Sequence, residues 1–181
     1  MKFCYADPPY YGNGKSKYGY PEWDTKERHI DLVKELISEY PDGWALSCNP
    51  ADLCWILPNC PAGTRVCVWA KTFHQIRPTT VQFAWEPVIL FGGRKDNKRK
   101  PMVRDWMACA RTNRKGLQGA KPLAFNLWIL QLLNYQKGDR LIDRFPGTGS
   151  MQDAIYNIEN GGVMADSSTC LKAGVSSATI L

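Results

Sequence analysis

The stretch that most constrains this chain is its beginning. Lys2-Phe3-Cys4-Tyr5-Ala6 is a short apolar run, and Asp7-Pro8-Pro9-Tyr10 follows it directly. Proline has no amide hydrogen to give a sheet ladder, so a strand here must stop near Ala6. Each proline also drives the residue before it out of the helical region. The sequence thus sets an acidic side chain, carbonyls that no helix claims and an aromatic ring at the end of a buried strand. In open α/β sheets, ligands bind beyond the carboxyl ends of the strands. At average composition this tetrapeptide arises by chance in about one chain per thousand of this length. The plain alternative is a Pro-Pro turn on a core strand.

At 181 residues, 44% of them hydrophobic, the chain fits a single domain spanning residues 1–181 with a sizeable core. Lys2 is followed at once by strand and loop residues, so no secretory signal is expected. The most apolar segment, residues 123–133, is broken by Asn126 and Gln131 and is too short to cross a bilayer. The expectation is a soluble, cytoplasmic protein without a membrane partner. The seven cysteines include no Cys-x-x-Cys, and only His29 and His74 accompany them, so no metal site is expected. Several sit in strand-like runs and read as small buried apolar residues in a reducing compartment.

Charge is unevenly spread. Residues 94–121 hold ten basic side chains, Arg94, Lys95, Lys98, Arg99, Lys100, Arg104, Arg111, Arg114, Lys115 and Lys121, against Asp96 and Asp105. This segment carries +8, while the whole chain carries +6. Such concentration is the electrostatic footprint of a phosphate-binding surface, although an ordinary solvated loop has the same composition.

Hydrophobic periodicity orders the rest. Residues 11–21 read as a mobile loop rich in glycine and tyrosine, able to close over a planar ligand. Asp24-x-x-Glu27 resembles a capping box, and residues 25–40 form an amphipathic helix. Residues 44–48, 65–71 and 85–91 read as strands, with a short helix over 50–57. The basic stretch at about 94–120 has too few apolar residues for a core of its own and reads as an insertion. Lys121-Pro122 opens a heavily buried helix running to about residue 135, with proline at its first position. Residues 140–145 form a strand, 151–158 a helix, and 163–166 a final strand. Strand-helix-strand order predicts an α/β fold with a doubly wound, mostly parallel sheet.

A second constellation lies between the 140–145 strand and the helix after it: Asp143-Arg144-Phe145-Pro146-Gly147-Thr148-Gly149-Ser150. Glycines let a ligand approach the backbone, and the following helix offers unpaired N–H groups to an anion. Asp166, ending the next strand, can accept hydrogen bonds from ribose hydroxyls. A nucleoside-type ligand accounts for this pattern better than a structural turn.

Together these motifs resemble the Rossmann-like, S-adenosylmethionine-dependent DNA amino-methyltransferases. In that family Asp-Pro-Pro-Tyr is the catalytic motif and Asp-x-Phe-x-Gly-x-Gly the cofactor motif. Here the catalytic motif comes first, which matches the circularly permuted (beta) class. The 85–90 strand and Lys121-Pro122 resemble motifs lying between the two, and the basic stretch stands where such enzymes carry their target-recognition region. The resemblance implies a catalytic role for Asp7, Pro8, Pro9 and Tyr10. It implies cofactor contacts from Ala6, Asp7, Lys121, Asp143, Phe145, Gly147, Thr148, Gly149, Ser150 and Asp166, with Lys121 at the cofactor's carboxylate. DNA contacts would come from Arg94, Lys95, Lys98, Arg99, Lys100, Arg104, Arg111, Arg114 and Lys115. Aspartate before Pro-Pro-Tyr implies the N6 amine of adenine, flipped from a duplex or in a single strand, with S-adenosylhomocysteine as product and no metal. The insertion is short, which leaves a homodimer or a second protein to enlarge the target contact. Cytosine-N4 or RNA adenine methylation stays open within the same class. A non-catalytic nucleic-acid-binding module on the same fold and a nicotinamide-dependent oxidoreductase are the readings from other classes.

Overall fold

The structure is a computed structural model that describes residues 1–72, 80–95, 102–110 and 120–161. Lys98, Arg99, Lys100, Arg111, Arg114, Lys115, Asp166 and the strand expected at 163–166 lie outside the described residues.

Among the described residues, six strands form one sheet: β1 (Lys2–Ala6), β2 (Gly43–Ser47), β3 (Arg65–Lys71), β4 (Trp85–Gly92), β5 (Trp106–Cys109) and β6 (Arg140–Asp143), in the order β5-β3-β4-β2-β1-β6. β1 pairs in parallel with β2 on one side and β6 on the other. β4 is antiparallel to both β2 and β3, and β3 is parallel to β5. Five strands therefore share one direction and β4 alone runs against them. This is the α/β, mostly parallel sheet that the periodicity predicts.

Alternation along the central strands builds a core on each face. Phe3 and Tyr5 enter one core, packed with Phe125, Trp128 and Leu130 of α3 (Leu123–Leu132) and with Met151 and Ala154 of α4 (Ser150–Glu159). Cys4 and Ala6 enter the other, with Leu32, Val33 and Leu36 of α1 (Lys26–Glu39) and Ile56 of α2 (Leu53–Ile56). Helices on both faces make the sheet doubly wound. The cysteines among the described residues are free thiols, and burial pushes Cys4 and Cys67 up to about 12. No helix among the described residues is long and apolar enough to cross a membrane.

Four local expectations are corrected. Asp24 does not cap α1. Its carboxylate accepts from the amides of Gly14 (2.7 Å) and Lys15 (2.9 Å), while Thr25 Oγ1 accepts from Arg28 N. Two short contacts outweigh the one a cap would give. For the same reason residues 11–21 are not plain loop: Gly14–Tyr18 forms a π-helical turn, followed by a 3₁₀ turn at Pro21–Asp24. Pro122 sits at the N-cap of α3 with extended φ/ψ, not at the first helical position. β6 ends at Asp143, two residues early, because the Asp143 carboxylate accepts from Phe145 N at 3.0 Å and turns the chain.

One strand has no counterpart in the periodicity. β5 lies inside the basic stretch and pairs with the outer edge of β3. Four residues, two of them buried (Met107 and Cys109), are too few to show a period of two.

Candidate active site

The parallel pairing of β1 with β6 sets Tyr5 opposite Asp143, and Arg144 N continues the ladder by donating to Tyr5 O at 3.0 Å. The two motifs from opposite ends of the chain therefore leave neighbouring strands at the same edge. Asp143 carries the imprint of that meeting. Burial raises its carboxyl, the Phe145 amide opposes this, the charge of Asp7 raises it further, and the result is about 6.

Asp7 begins the corner after β1. Lys121, just before α3, donates from Nζ to Asp7 Oδ1 at 2.9 Å, to Tyr10 Oη at 3.2 Å and to Glu86 Oε2 at 3.2 Å. All three ammonium hydrogens are thus engaged. Tyr10 Oη donates to Glu86 Oε2 at 2.9 Å, and Lys71 forms an ion pair with the other Glu86 oxygen. The rings of Tyr10, Trp69 and Phe125 stand 5.5, 5.8 and 5.8 Å from the Lys121 ammonium. One buried cation is thus surrounded by two carboxylates, a phenol oxygen and three aromatic faces.

Reversal of β4 makes this possible. Glu86 lies near the start of β4, and only an antiparallel strand brings its first residues to the edge where β1, β2, β3 and β6 finish. Burial pushes the Glu86 carboxyl up, but Lys121 and Lys71 overcome it and hold it at about 2. Burial outweighs Lys121 at Asp7, whose carboxyl is raised. The hydroxyl of Tyr10 is held well above its ordinary range by burial and by the charges of Glu86 and Asp7. Burial alone would lower Lys121, yet Asp7 and Glu86 keep its ammonium protonated and raise it.

Sequence motifs do not single out Glu86 or Lys71. The available signal is a glutamate in an otherwise apolar strand, followed by proline, and a lysine ending another strand.

The glycine turn follows β6, the parallel neighbour of β1. Gly147 (φ +44°) and Gly149 (φ +74°) occupy the left-handed region, and a Cβ on Gly149 would meet nothing within 4 Å. Gly149 is the N-cap of α4, which begins without a side-chain cap. Among the described residues, its first amides are therefore unclaimed by any capping side chain. Asn126 of α3 donates to Ser150 Oγ at 2.8 Å and ties the turn to the core. Phe145 packs edge-on against Trp23, with ring centroids 5.1 Å apart, and Arg144 ion-pairs with Glu35 and Glu39 of α1.

The remaining described candidates are dispersed. Pro8 is buried, Pro9 half-buried, and Ala6 is fully buried at the end of β1. Arg94 pairs with Asp139 (2.7 Å) beside the chain's first residue, at the opposite edge of the sheet. Lys95 and Arg104 are exposed, and the Arg104 guanidinium lies over the Trp106 ring. Among the described residues, no group of three or more acidic, histidine or cysteine side chains is placed to hold a metal ion.

No protein-family model matches this chain, and no curated protein matches it in sequence. In structure it is similar to the crystal structure of the M1.HpyAVI–SAM complex, with a TM-score of 0.61 and 18% identity over 88% of this chain and 78% of that one. It is also similar to the crystal structure of M1.HpyAVI, with a TM-score of 0.50 and 20% identity over 87% of this chain and 76% of that one. The likeness is one of fold.

Proposed function

We propose that this protein is an S-adenosylmethionine-dependent methyltransferase acting on the N6 amine of adenine in DNA. The observation that carries this reading is the meeting of the Asp7 corner and the Asp143 glycine turn at the ends of adjacent parallel strands. The fold shared with M1.HpyAVI, whose structure was solved as a complex with SAM, supports it. So does the +8 segment, which suits a polyanionic substrate.

The residues suit that cofactor. Open space lies against Gly149, and the uncapped first turn of α4 can receive a carboxylate. Asp143 keeps lone pairs beyond the one spent on Phe145 N, enough to accept from a ligand amine. When bound, S-adenosylmethionine supplies an electrophilic methyl group on a sulfonium.

The work of the chain itself is to prepare the amine. An adenine amine is a poor nucleophile because its lone pair is delocalised into the ring. The Asp7 carboxylate and the Pro8 carbonyl each accept one amine hydrogen bond, which draws the nitrogen toward tetrahedral geometry and aims its lone pair. Nitrogen gains positive charge as it is alkylated. The Asp7 carboxylate, which accepts a hydrogen bond from that nitrogen, is the group placed to stabilise charge of that sign. The alkylated nitrogen is acidic, and the Asp7 carboxylate, raised by burial, is placed to take its proton. Tyr10, its hydroxyl held by Glu86, presents a ring on which a base turned out of the duplex can stack.

The test is methyl transfer from labelled S-adenosylmethionine to duplex DNA, followed by digestion to nucleosides. N6-methyladenine is expected. Label on cytosine would correct the acceptor, and absence of S-adenosylmethionine binding at millimolar concentration in calorimetry would remove the reading altogether.

A further inference from the structure

We infer that the sheet face carrying Trp85 and Trp106 is a stacking surface for the unpaired bases of a nucleic-acid strand led to the active site. The inference rests on the nucleic-acid part of the proposed function and on no other part of it.

The pairing register brings the two indoles together. On β3, Ala70 is opposite Trp85 of β4, and Val68 is opposite Trp106 of β5. Residues paired across a ladder share a face, as do residues two apart on one strand. Both indoles therefore stand on the face away from Trp69 and Met107, which point into the α3 core. From strand spacing their Cα atoms are about 12 Å apart, with Val68 and Ala70 between them. The described helices on this side pack over β1, β2 and Ile89, and leave Trp85 37% and Trp106 40% exposed. Phe83, two residues before Trp85, is 53% exposed. Single exposed apolar residues need no explanation, but two indoles exposed on one sheet face, with a third exposed ring just ahead of β4, mark a binding surface.

Charge identifies the occupant. The Arg104 guanidinium lies 5.8 Å from the centre of the Trp106 ring, and β5 sits within the +8 segment. Aromatic faces set among positive charges fit a polyanion that carries flat rings, which is single-stranded nucleic acid. A second copy of the chain would bring two such segments together, and like charges across an interface are unfavourable. Trp85 and Glu86 are consecutive at the start of β4, so their side chains leave the strand on opposite faces, and the surface meets the active site around the end of that strand.

The intact chain is titrated with a thymidine oligonucleotide and with an abasic oligonucleotide of equal length, which has the same phosphates and no bases. Wild type should bind the first at least about tenfold more tightly, the effect of one or more stacked bases. In the Trp85→Ala, Trp106→Ala double variant this preference should vanish while abasic affinity holds, and Trp→Phe at both sites should restore most of it. Equal loss for both ligands, loss for neither, or conversion of a dimer to a monomer by the substitutions would each overturn the inference. S-adenosylmethionine binding is measured on the same samples. A base preference without cofactor binding removes the proposed chemistry and keeps this surface, and the reverse pattern does the opposite.

Discussion

Lys121 and Asp7 form a half-buried ion pair across 114 positions of sequence, Nζ to Oδ1 2.9 Å. The same ammonium also reaches Glu86, so a single cation is divided between two carboxylates from different strands. The resemblance to amino-methyltransferases implies the cofactor's carboxylate as the partner of Lys121. The structure has it bonded to the residue proposed to bind the substrate amine.

Replacing Asp7 separates chemistry from binding. Asp7→Ala should lower the methyl-transfer rate at least about a hundredfold, the scale of removing one charge-stabilising group. Affinity for S-adenosylmethionine, measured by calorimetry, should change less than about threefold. A variant retaining a large part of the rate would show that another group receives the amine.

Asp143 predicts two opposite pH effects. Its folded carboxyl titrates at about 6, above the ordinary value of 3.8. The folded state therefore binds more protons than the unfolded one between these values, and stability falls as pH rises through them. Asp143→Asn should raise the melting temperature by about 2–4 °C at pH 7.5, and the gain should disappear by pH 4. The ionised carboxylate is the form that accepts from a ligand donor. Wild-type affinity for S-adenosylmethionine should thus drop up to about tenfold per unit below pH 6, and Asn should flatten that slope. A wild-type affinity that is constant from pH 5 to 7.5 would take Asp143 out of the ligand site.

Glu86 should be a stability residue with an acid signature. Glu86→Ala leaves Lys71 without its ion-pair partner and Lys121 with Asp7 as its carboxylate, and breaking a largely desolvated pair in this way costs up to about 3–5 kcal/mol. Glu86→Gln keeps an acceptor for Tyr10 and should cost less. Its carboxyl is held at about 2, below the ordinary 4.5, so its contribution is complete above 4.5 and is lost as pH falls toward 2. Urea denaturation across that range should show wild type and Glu86→Gln converging. Parallel curves at every pH would contradict the ion-pair account.

Neutralising Arg99, Lys100 and Arg104 together should weaken DNA binding for every sequence alike. The plot of log affinity against log salt should become shallower by about 1 for each phosphate the variant no longer neutralises. An unchanged slope would move the DNA surface elsewhere.

Tyr10 combines an anchor with a ring. Tyr10→Phe removes the bond to Glu86 and should cost about 1 kcal/mol of stability, while keeping a face for stacking. Tyr10→Ala should harm duplex substrates at least as much as single-stranded ones. The reverse ranking would argue against a base turned out of the helix.

Much of this molecule was legible from local signals. Two prolines after Ala6 terminate β1 where the structure ends it, because proline cannot extend a ladder whatever surrounds it. Helix α1 and the buried α3 follow from periodicity, which reflects which faces must leave water. The glycine turn before α4 follows from the two positive φ angles that only glycine adopts freely. These are properties of a few consecutive residues, and neighbours in sequence suffice to state them.

What joined those pieces was decided elsewhere. That β6 returns beside β1, that β4 runs backwards and so carries Glu86 to the active edge, and that Trp106 lands across β3 from Trp85 are matters of strand order and register. Local pattern is silent on them, because a strand's hydrophobic alternation says which face is buried and nothing about which strand lies next to it. The chain's own residues determined two half-sites and a charged segment. Only the closing of the sheet, driven by the two cores on its faces, determined that one lysine, two carboxylates and three rings would share a single point.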